Sequence, residues 1–276
     1  GGKGVNVSRA LAAQGTDTIA VLPSGGPEGH LMDELLDTAG VARRSVPVAG
    51  SLRMNISVLE PDGTTTKLNE PGPRLTPDEV DALLTATLDA AHGASWVVAC
   101  GSLPPGAPTT MYADLVTRVR ERGIRVAVDS SGPPMPLAVA ARPSLIKPNH
   151  EELAELVGHA LPTLGDVHAA ARELVSDGIE MVAVSLGRDG AILVTADEVV
   201  HAGATITAPL STVGAGDCML AGLLHGLSAG LSPADALATA VTWGSAAVTL
   251  PGSRVPTPSD LVGIHAEVTS TPDPSL

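Results

Sequence analysis

The sequence predicts an α/β fold: a three-layer α/β/α core on a mostly parallel sheet, with a small antiparallel β lid. Two patterns carry this expectation. Short Val/Ile/Ala/Leu runs alternate with amphipathic helical segments along most of the chain, as right-handed crossovers between parallel strands require. Those runs are apolar almost throughout, which suits strands buried on both faces. One region departs from the alternation, since residues 41–68 read as strands with no helix between them.

In chain order, the spacing of Val5, Ser8, Leu11 and Ala12 predicts an opening helix, followed by a strand over Thr18–Leu22. Arg53–Glu60 and Thr64–Leu68 then flank Pro61-Asp62-Gly63, a hairpin turn signal. An antiparallel insert on an α/β core is often a lid or an interaction edge, and it spans about residues 41–70. Strands are predicted over Trp96–Cys100, Arg125–Asp129, Ser144–Lys147 and Glu180–Ser185. Helices are predicted over Asp78–Ala91, Thr109–Arg122, His150–Val157 and Leu164–Ser176. A second hairpin joins Ala191–Val194 to Glu198–His201. Helices over Ala215–Ser228 and Pro233–Thr249 precede a short final segment near Ser259–Glu267. No repeat or low-complexity linker divides the chain, so residues 1–276 read as a single domain.

Composition narrows the function. A chain of 276 residues can bury a sizeable core, and with no Phe, one Tyr and two Trp that core must be aliphatic. No apolar run approaches a membrane span, and Cys100 and Cys218 make no disulfide framework; a soluble, cytoplasmic protein is expected. The eight His residues lack ligand spacing, so no structural zinc site is implied. A net charge of -14 argues against nucleic acid or an anionic membrane as partner. Any anionic ligand must therefore be held by local positive charge, amide dipoles or a metal ion. Lysine occurs only at 3, 67 and 147, in two cases inside a Gly-rich loop or at a predicted strand end.

The most informative stretch is Ser211-Thr212-Val213-Gly214-Ala215-Gly216-Asp217, followed by an apolar helical run. Small residues there turn the backbone tightly, and the helix start concentrates unpaired N–H donors and the positive end of the dipole. That geometry attracts phosphate. Asp217 reads either as a base that deprotonates an attacking hydroxyl or as a plain helix cap. The helix dipole is expected to keep it ionised at neutral pH.

Further motifs sit at other strand and helix ends. Gly1-Gly2-Lys3-Gly4-Val5-Asn6 permits close backbone approach to a ligand and adds a cation and an amide; it is neither a Walker loop nor a dinucleotide fingerprint. Gly101-Ser102-Leu103-Pro104-Pro105-Gly106 follows a strand, where ligands of parallel sheets gather. In Lys147-Pro148-Asn149-His150-Glu151-Glu152, Asn149 and Glu152 have capping-box spacing, or they surround Mg²⁺ and nucleotide phosphates. Ser185-Leu186-Gly187-Arg188-Asp189-Gly190 is either a nucleotide-supporting loop or an ordinary hairpin turn. Arg53 and Asn55, two apart on one strand, share a face.

Taken together and in order, these motifs resemble the ribokinase-like sugar kinases (the phosphofructokinase B group) from Gly1 to about Pro258. The likeness within that group is greatest to kinases of fructose 1-phosphate. What the resemblance implies is ATP- and Mg²⁺-dependent phosphoryl transfer, giving fructose 1,6-bisphosphate. Asp217 would be the base, with the Gly214, Ala215 and Gly216 amides as the anion hole. Gly2, Lys3, Asn6 and Ser102 would hold the sugar, and Arg53 its phosphate. Lys147, Asn149, Ser185, Gly187 and Gly190 would serve ATP, and Glu152 its magnesium. The lid would exclude water and pair two subunits as a homodimer. The chain opens without Met inside a motif, so further residues are expected upstream. The resemblance implies that these hold the first core strand, part of the lid and an Asp anchoring the sugar hydroxyls. Tagatose-6-phosphate kinase and 6-phosphofructokinase share most of these motifs, and a non-catalytic sugar-phosphate sensor is the alternative of another class.

Overall fold

The structure is a computed structural model that describes residues 2–59, 65–272 and 274. Helix α1 (Lys3–Ala13) starts behind Gly2, whose φ of 110° lies in a region that side chains disfavour. The chain continues through β1 (Ile19–Ser24), α2 (Gly26–Thr38) and β2 (Ala42–Pro47). β1 and β2 pair in parallel, from Ile19 opposite Ala42 to Ser24 opposite Pro47. Here the structure corrects the sequence reading. Residues 42–47 belong to a parallel βαβ unit and not to the antiparallel lid. Its helix α2 leaves no periodic signal in the sequence because it buries only Gly29 and Leu36, too little for an apolar stripe.

The described lid is the antiparallel pair β3 (Asn55–Leu59) and β4 (Thr65–Asn69), in register from Asn55 opposite Asn69 to Leu59 opposite Thr65. Its expected turn, Pro61-Asp62-Gly63, lies outside the described residues. Because β3 begins at Asn55, Arg53 stands before the strand and does not alternate on it with Asn55.

After α3 (Pro77–Ala90), which opens on a Thr76–Glu79 capping box, the chain enters the main sheet. Crossovers run from β5 (Trp96–Cys100) through α4 (Met111–Arg120) to β6 (Arg125–Asp129), then through α5 (Pro134–Ala140) to β7 (Leu145–Ile146). The next passes through α6 (His150–Val157) and α7 (Leu164–Ser176) to β8 (Met181–Ser185). β9 (Ala191–Thr195) and β10 (Val199–Gly203) form the expected second hairpin; α8 (Ala215–Ser228), α9 (Pro233–Val248) and the unexpected edge strand β11 (Glu267–Thr269) follow. Helix α5 was also unforeseen; its prolines sit in the first turn, where no intrahelical N–H is lost. The strand order is β11-β10-β9-β8-β7-β6-β5, parallel from β5 to β8 and antiparallel from β8 to β11.

Strand periodicity divides the core into two layers. Val182 and Val184 of β8, with Ile192 and Val194 of β9, belong to the layer that α6 and α7 cover and that continues to α3 and α4. The intervening Met181, Ala183, Ala191 and Leu193 pack against α1, α8 and α9. This is the α/β/α sandwich expected, filled mainly by aliphatic side chains. Helices α8 and α9 meet through small residues: a Cβ on Gly226 would lie 2.9 Å from the Ala236 Cα, and one on Gly222 would lie 3.0 Å from the Ala240 Cα. Among the described residues no helix is long and apolar enough to cross a membrane.

The α8–α9 contact generates a stability prediction. Gly226→Val must separate the two helices and should lower the unfolding free energy by about 1–3 kcal/mol, the usual cost of overpacking. Urea denaturation checks this, with the midpoint falling and the slope unchanged.

Candidate active site

Parallel strands deliver their carboxyl ends to one edge of the sheet. Cys100 ends β5, Asp129 ends β6, Lys147 follows β7 and Ser185 ends β8. The first turns of α1, α6 and α8 meet this edge and bring Lys3, Asn6, Glu152 and Asp217 to it.

Asp217 occupies the third position of α8. The N-cap is Gly214, in the left-handed conformation with φ 82°, and it makes no side-chain cap bond. Asp217 bonds across to α1 instead, its Oδ2 accepting from Asn6 Nδ2 at 2.8 Å, with both residues 7% exposed. The capping role is thereby removed. Burial pushes the carboxyl up; the Asn6 hydrogen bond, Lys147 and Lys3 oppose this and Asp129 adds to it, leaving the pKa raised. A buried carboxylate with a raised pKa is a better proton acceptor than an exposed one.

The first donor inside α8 is the Cys218 N–H, bonded to the Gly214 carbonyl at 2.9 Å. The N–H groups of Gly216 and Asp217 precede it and have no acceptor within the helix. The Ala215 N–H turns back to the Thr212 carbonyl at 3.3 Å. Beside this turn lies the buried Lys147; a Cβ on Gly216 would sit 3.5 Å from its Nζ, in van der Waals contact with the ammonium. The Lys147 ammonium and the unspent amides therefore converge beside the Asp217 carboxylate.

The residue missed by sequence reasoning is Asp129. It is 1% exposed; Oδ1 accepts from Lys3 Nζ at 2.7 Å and Oδ2 lies 3.2 Å from Lys147 Nζ. The available signal was a carboxylate ending a strand directly after the apolar run Val126-Ala127-Val128. Burial depresses the Lys3 ammonium pKa, but Asp129, Glu152 and Asp217 outweigh it and the net shift is upward. Cys100 and Cys218 lie close by as thiols, the first pushed well up by burial and the second to about 12.

Asn149 and Glu152 form the capping box of α6. The Asn149 side chain accepts from Glu152 N at 2.7 Å, and Glu152 Oε2 accepts from Asn149 N at 2.9 Å. Glu152 Oε1 stands 3.7 Å from Lys3 Nζ, its side chain 20% exposed. Among the described residues no three His, Cys, Asp or Glu gather as a metal cage. A single part-exposed carboxylate is nevertheless a donor set that fits Mg²⁺, which is held mainly by phosphates and water.

The remaining residues stand apart from this cluster. Ser185 bridges to Asn149, and its N–H bonds the Pro148 carbonyl at 3.1 Å. Gly187 has open space around it, whereas a Cβ on Gly190 would lie 2.0 Å from the Ala202 carbonyl, so strand packing alone demands glycine there. Ser102 is exposed in the loop after β5. Arg53 is exposed at the base of the lid, where it donates to the Glu70 carbonyl at 3.3 Å.

A family model described as pfkB family carbohydrate kinase matches residues 1–260. The chain belongs to the pfkB family of carbohydrate kinases. A 1-phosphofructokinase of Rhodobacter capsulatus is 39% identical over 271 residues, 98% of this chain and 86% of that protein. An ATP-dependent 6-phosphofructokinase isozyme 2 of Escherichia coli is 35% identical over 269 residues, 96% of this chain and 87% of that protein. The tetrameric inhibited form of Escherichia coli phosphofructokinase-2 shares the fold with a TM-score of 0.88 at 34% identity, covering 95% of this chain and 85% of that chain.

Membership of a kinase family makes Asp217 testable. Asp217→Asn keeps an acceptor for Asn6, so its thermal unfolding should match wild type while kcat drops by roughly 10²–10⁴-fold, the span for a positioned base. If Asp217 is the base, the acidic limb of kcat/KM in the wild type should lie above that of an unperturbed aspartate, because the carboxylate must be ionised and burial raises its pKa. A pH–rate profile beside a melting curve checks both.

Proposed function

We propose that this kinase transfers the γ-phosphoryl group of ATP to the 6-hydroxyl of fructose 1-phosphate, releasing ADP and fructose 1,6-bisphosphate. The observation that carries the reading is the buried Asp217 carboxylate at the first turn of α8, beside two unspent N–H groups and the Lys147 ammonium. Asp217 takes the hydroxyl proton as the new O–P bond forms and the bond to the β,γ-bridging oxygen breaks. The Gly216 and Asp217 amides, in the turn that Gly214 opens and with the Ala215 N–H spent on Thr212, face the charge that spreads over the transferring phosphoryl oxygens. Asn6 orients the base. Mg²⁺, when bound by Glu152 and the nucleotide phosphates, would neutralise phosphate charge. Lys3, Gly2 and Ser102 are assigned to the sugar and Arg53 to its phosphate, which an acidic protein must hold with local cations. Asn149, Ser185, Gly187 and Gly190 frame the nucleotide side.

Residues 1–276 are read as one kinase domain with the lid over the sugar. The lid presents an apolar face: Ile56, Val58 and Leu68 are 46–56% exposed, and Ile56 pairs directly with Leu68. A second copy of the chain is assigned to that face, in keeping with the tetrameric relative. A 6-phosphate sugar is the second reading, favoured by the 35% identity to a 6-phosphofructokinase.

A coupled ADP-release assay with fructose 1-phosphate, fructose 6-phosphate and tagatose 6-phosphate should give the highest kcat/KM for the first. Preference for a 6-phosphate would overturn the substrate and leave the kinase. Lys3→Ala and Arg53→Ala should raise KM for the sugar phosphate more than for ATP; equal increases would assign them to folding or lid closure. Ile56→Lys should shift sedimentation toward monomer, and an unchanged profile would remove the lid from the dimer.

A further inference from the structure

Asp129 is the most deeply buried carboxylate at the site, and its position conflicts with a simple anion-binding role. A negative charge between two cations weakens their pull on phosphate and repels Asp217. Its two oxygens face different sides of the site. Oδ1 holds Lys3 at 2.7 Å, on the helix start assigned to the sugar; Oδ2 stands 3.2 Å from Lys147, at the entrance to the α6 turn assigned to the nucleotide. The carboxylate rides on a strand end that is itself tied down, since the Asp129 carbonyl accepts from Gly101 N–H at 2.8 Å. Lysine ammonium groups on four-carbon stems have many rotamers, and a shared rigid anion removes that freedom.

We propose that Asp129 is a positioning residue that holds the Lys3 and Lys147 ammonium groups as a fixed pair, one toward each substrate, during phosphoryl transfer. The inference rests on the kinase reading above. It gives Asp129 a role distinct from affinity. Removing its charge should leave both anions bound at least as well while turnover fails, because the cations stay but lose their placement. Asp217 is faced by Asn6 and Lys3 from α1, Lys147 from the end of β7 and Asp129 from β6, so loss of the Asp129 charge also removes one influence that raises its pKa.

The test is Asp129→Asn, with turnover measured across pH and ADP binding by calorimetry without sugar. The expected result is a kcat about 10²-fold lower, the scale of a misplaced catalytic group, with KM for ATP and sugar phosphate unchanged or lower. ADP should bind as tightly as to wild type or more tightly, and the acidic limb should move to lower pH. A folded variant with wild-type kcat overturns the proposal, and so does weaker ADP binding, whatever the turnover. A wild type that phosphorylates none of the three sugar phosphates overturns the sugar-phosphate reading instead, and the ADP titration still decides whether Asp129 serves affinity. Should Asp129→Asn not fold, Asp129→Glu carries the test, keeping the charge but displacing it by one methylene. A comparable loss of kcat with the acidic limb unmoved supports positioning, and unimpaired turnover overturns it.

Discussion

Burying charge is the constraint on which this site depends. An ionised group taken out of water is tolerated only when a counter-charge or well-aimed dipoles replace the solvent. Two lysines and three carboxylates, at Lys3, Lys147, Asp129, Glu152 and Asp217, converge at one edge of the sheet. Their formal charges sum to minus one, so the cluster nearly balances itself. That balance lets Lys147 remain almost inaccessible to solvent in a chain that is strongly acidic overall. It also leaves Asp217 with an amide as its direct partner, held but not neutralised.

The sheet architecture makes such convergence possible. Parallel strands aim their carboxyl ends together, and each crossover returns the chain through a helix start. Asp129 and Lys147 arrive on neighbouring strand ends, while α1 and α8 bring Asn6 and Asp217 together from residues 211 positions apart in sequence. Dispersion and exclusion of water from aliphatic layers hold the frame. Among the described residues those layers are mainly Val, Leu, Ile and Ala, with Tyr112 buried in one and Trp243 in the other.

Much of this was legible in the sequence, and the failures have physical reasons. Near-continuous apolar runs marked the strands of the main sheet because burial on both faces leaves no alternation to obscure them. The Gly214–Asp217 turn, Lys3, Lys147 and the Asn149–Glu152 box were visible because special backbone geometry and scarce residue types stand out locally. Asp129 was invisible as a site because its significance comes from partners 126 positions earlier and 18 later. Helix α2 was missed since a surface helix that buries two residues leaves no stripe, and α5 since its prolines look like breakers until their first-turn position is known. Whether Asp217 capped its helix could not be read from spacing: the N-cap proved to be a left-handed glycine, and the carboxylate looked across to another helix.

The small-residue seam between α8 and α9 has a mechanical meaning. Where helices interlock through long side chains, an applied force is absorbed by rotamer changes and the axes slide. At Gly222 and Gly226 there are no such springs, because main chain rests almost directly on main chain. Helix α8 is therefore clamped along its length, with the unspent amides at its N-terminal tip and Asp217 held there by Asn6. Low compliance at that tip means that dipoles and carboxylate meet the reacting phosphoryl group already aimed, with little reorganisation left to perform.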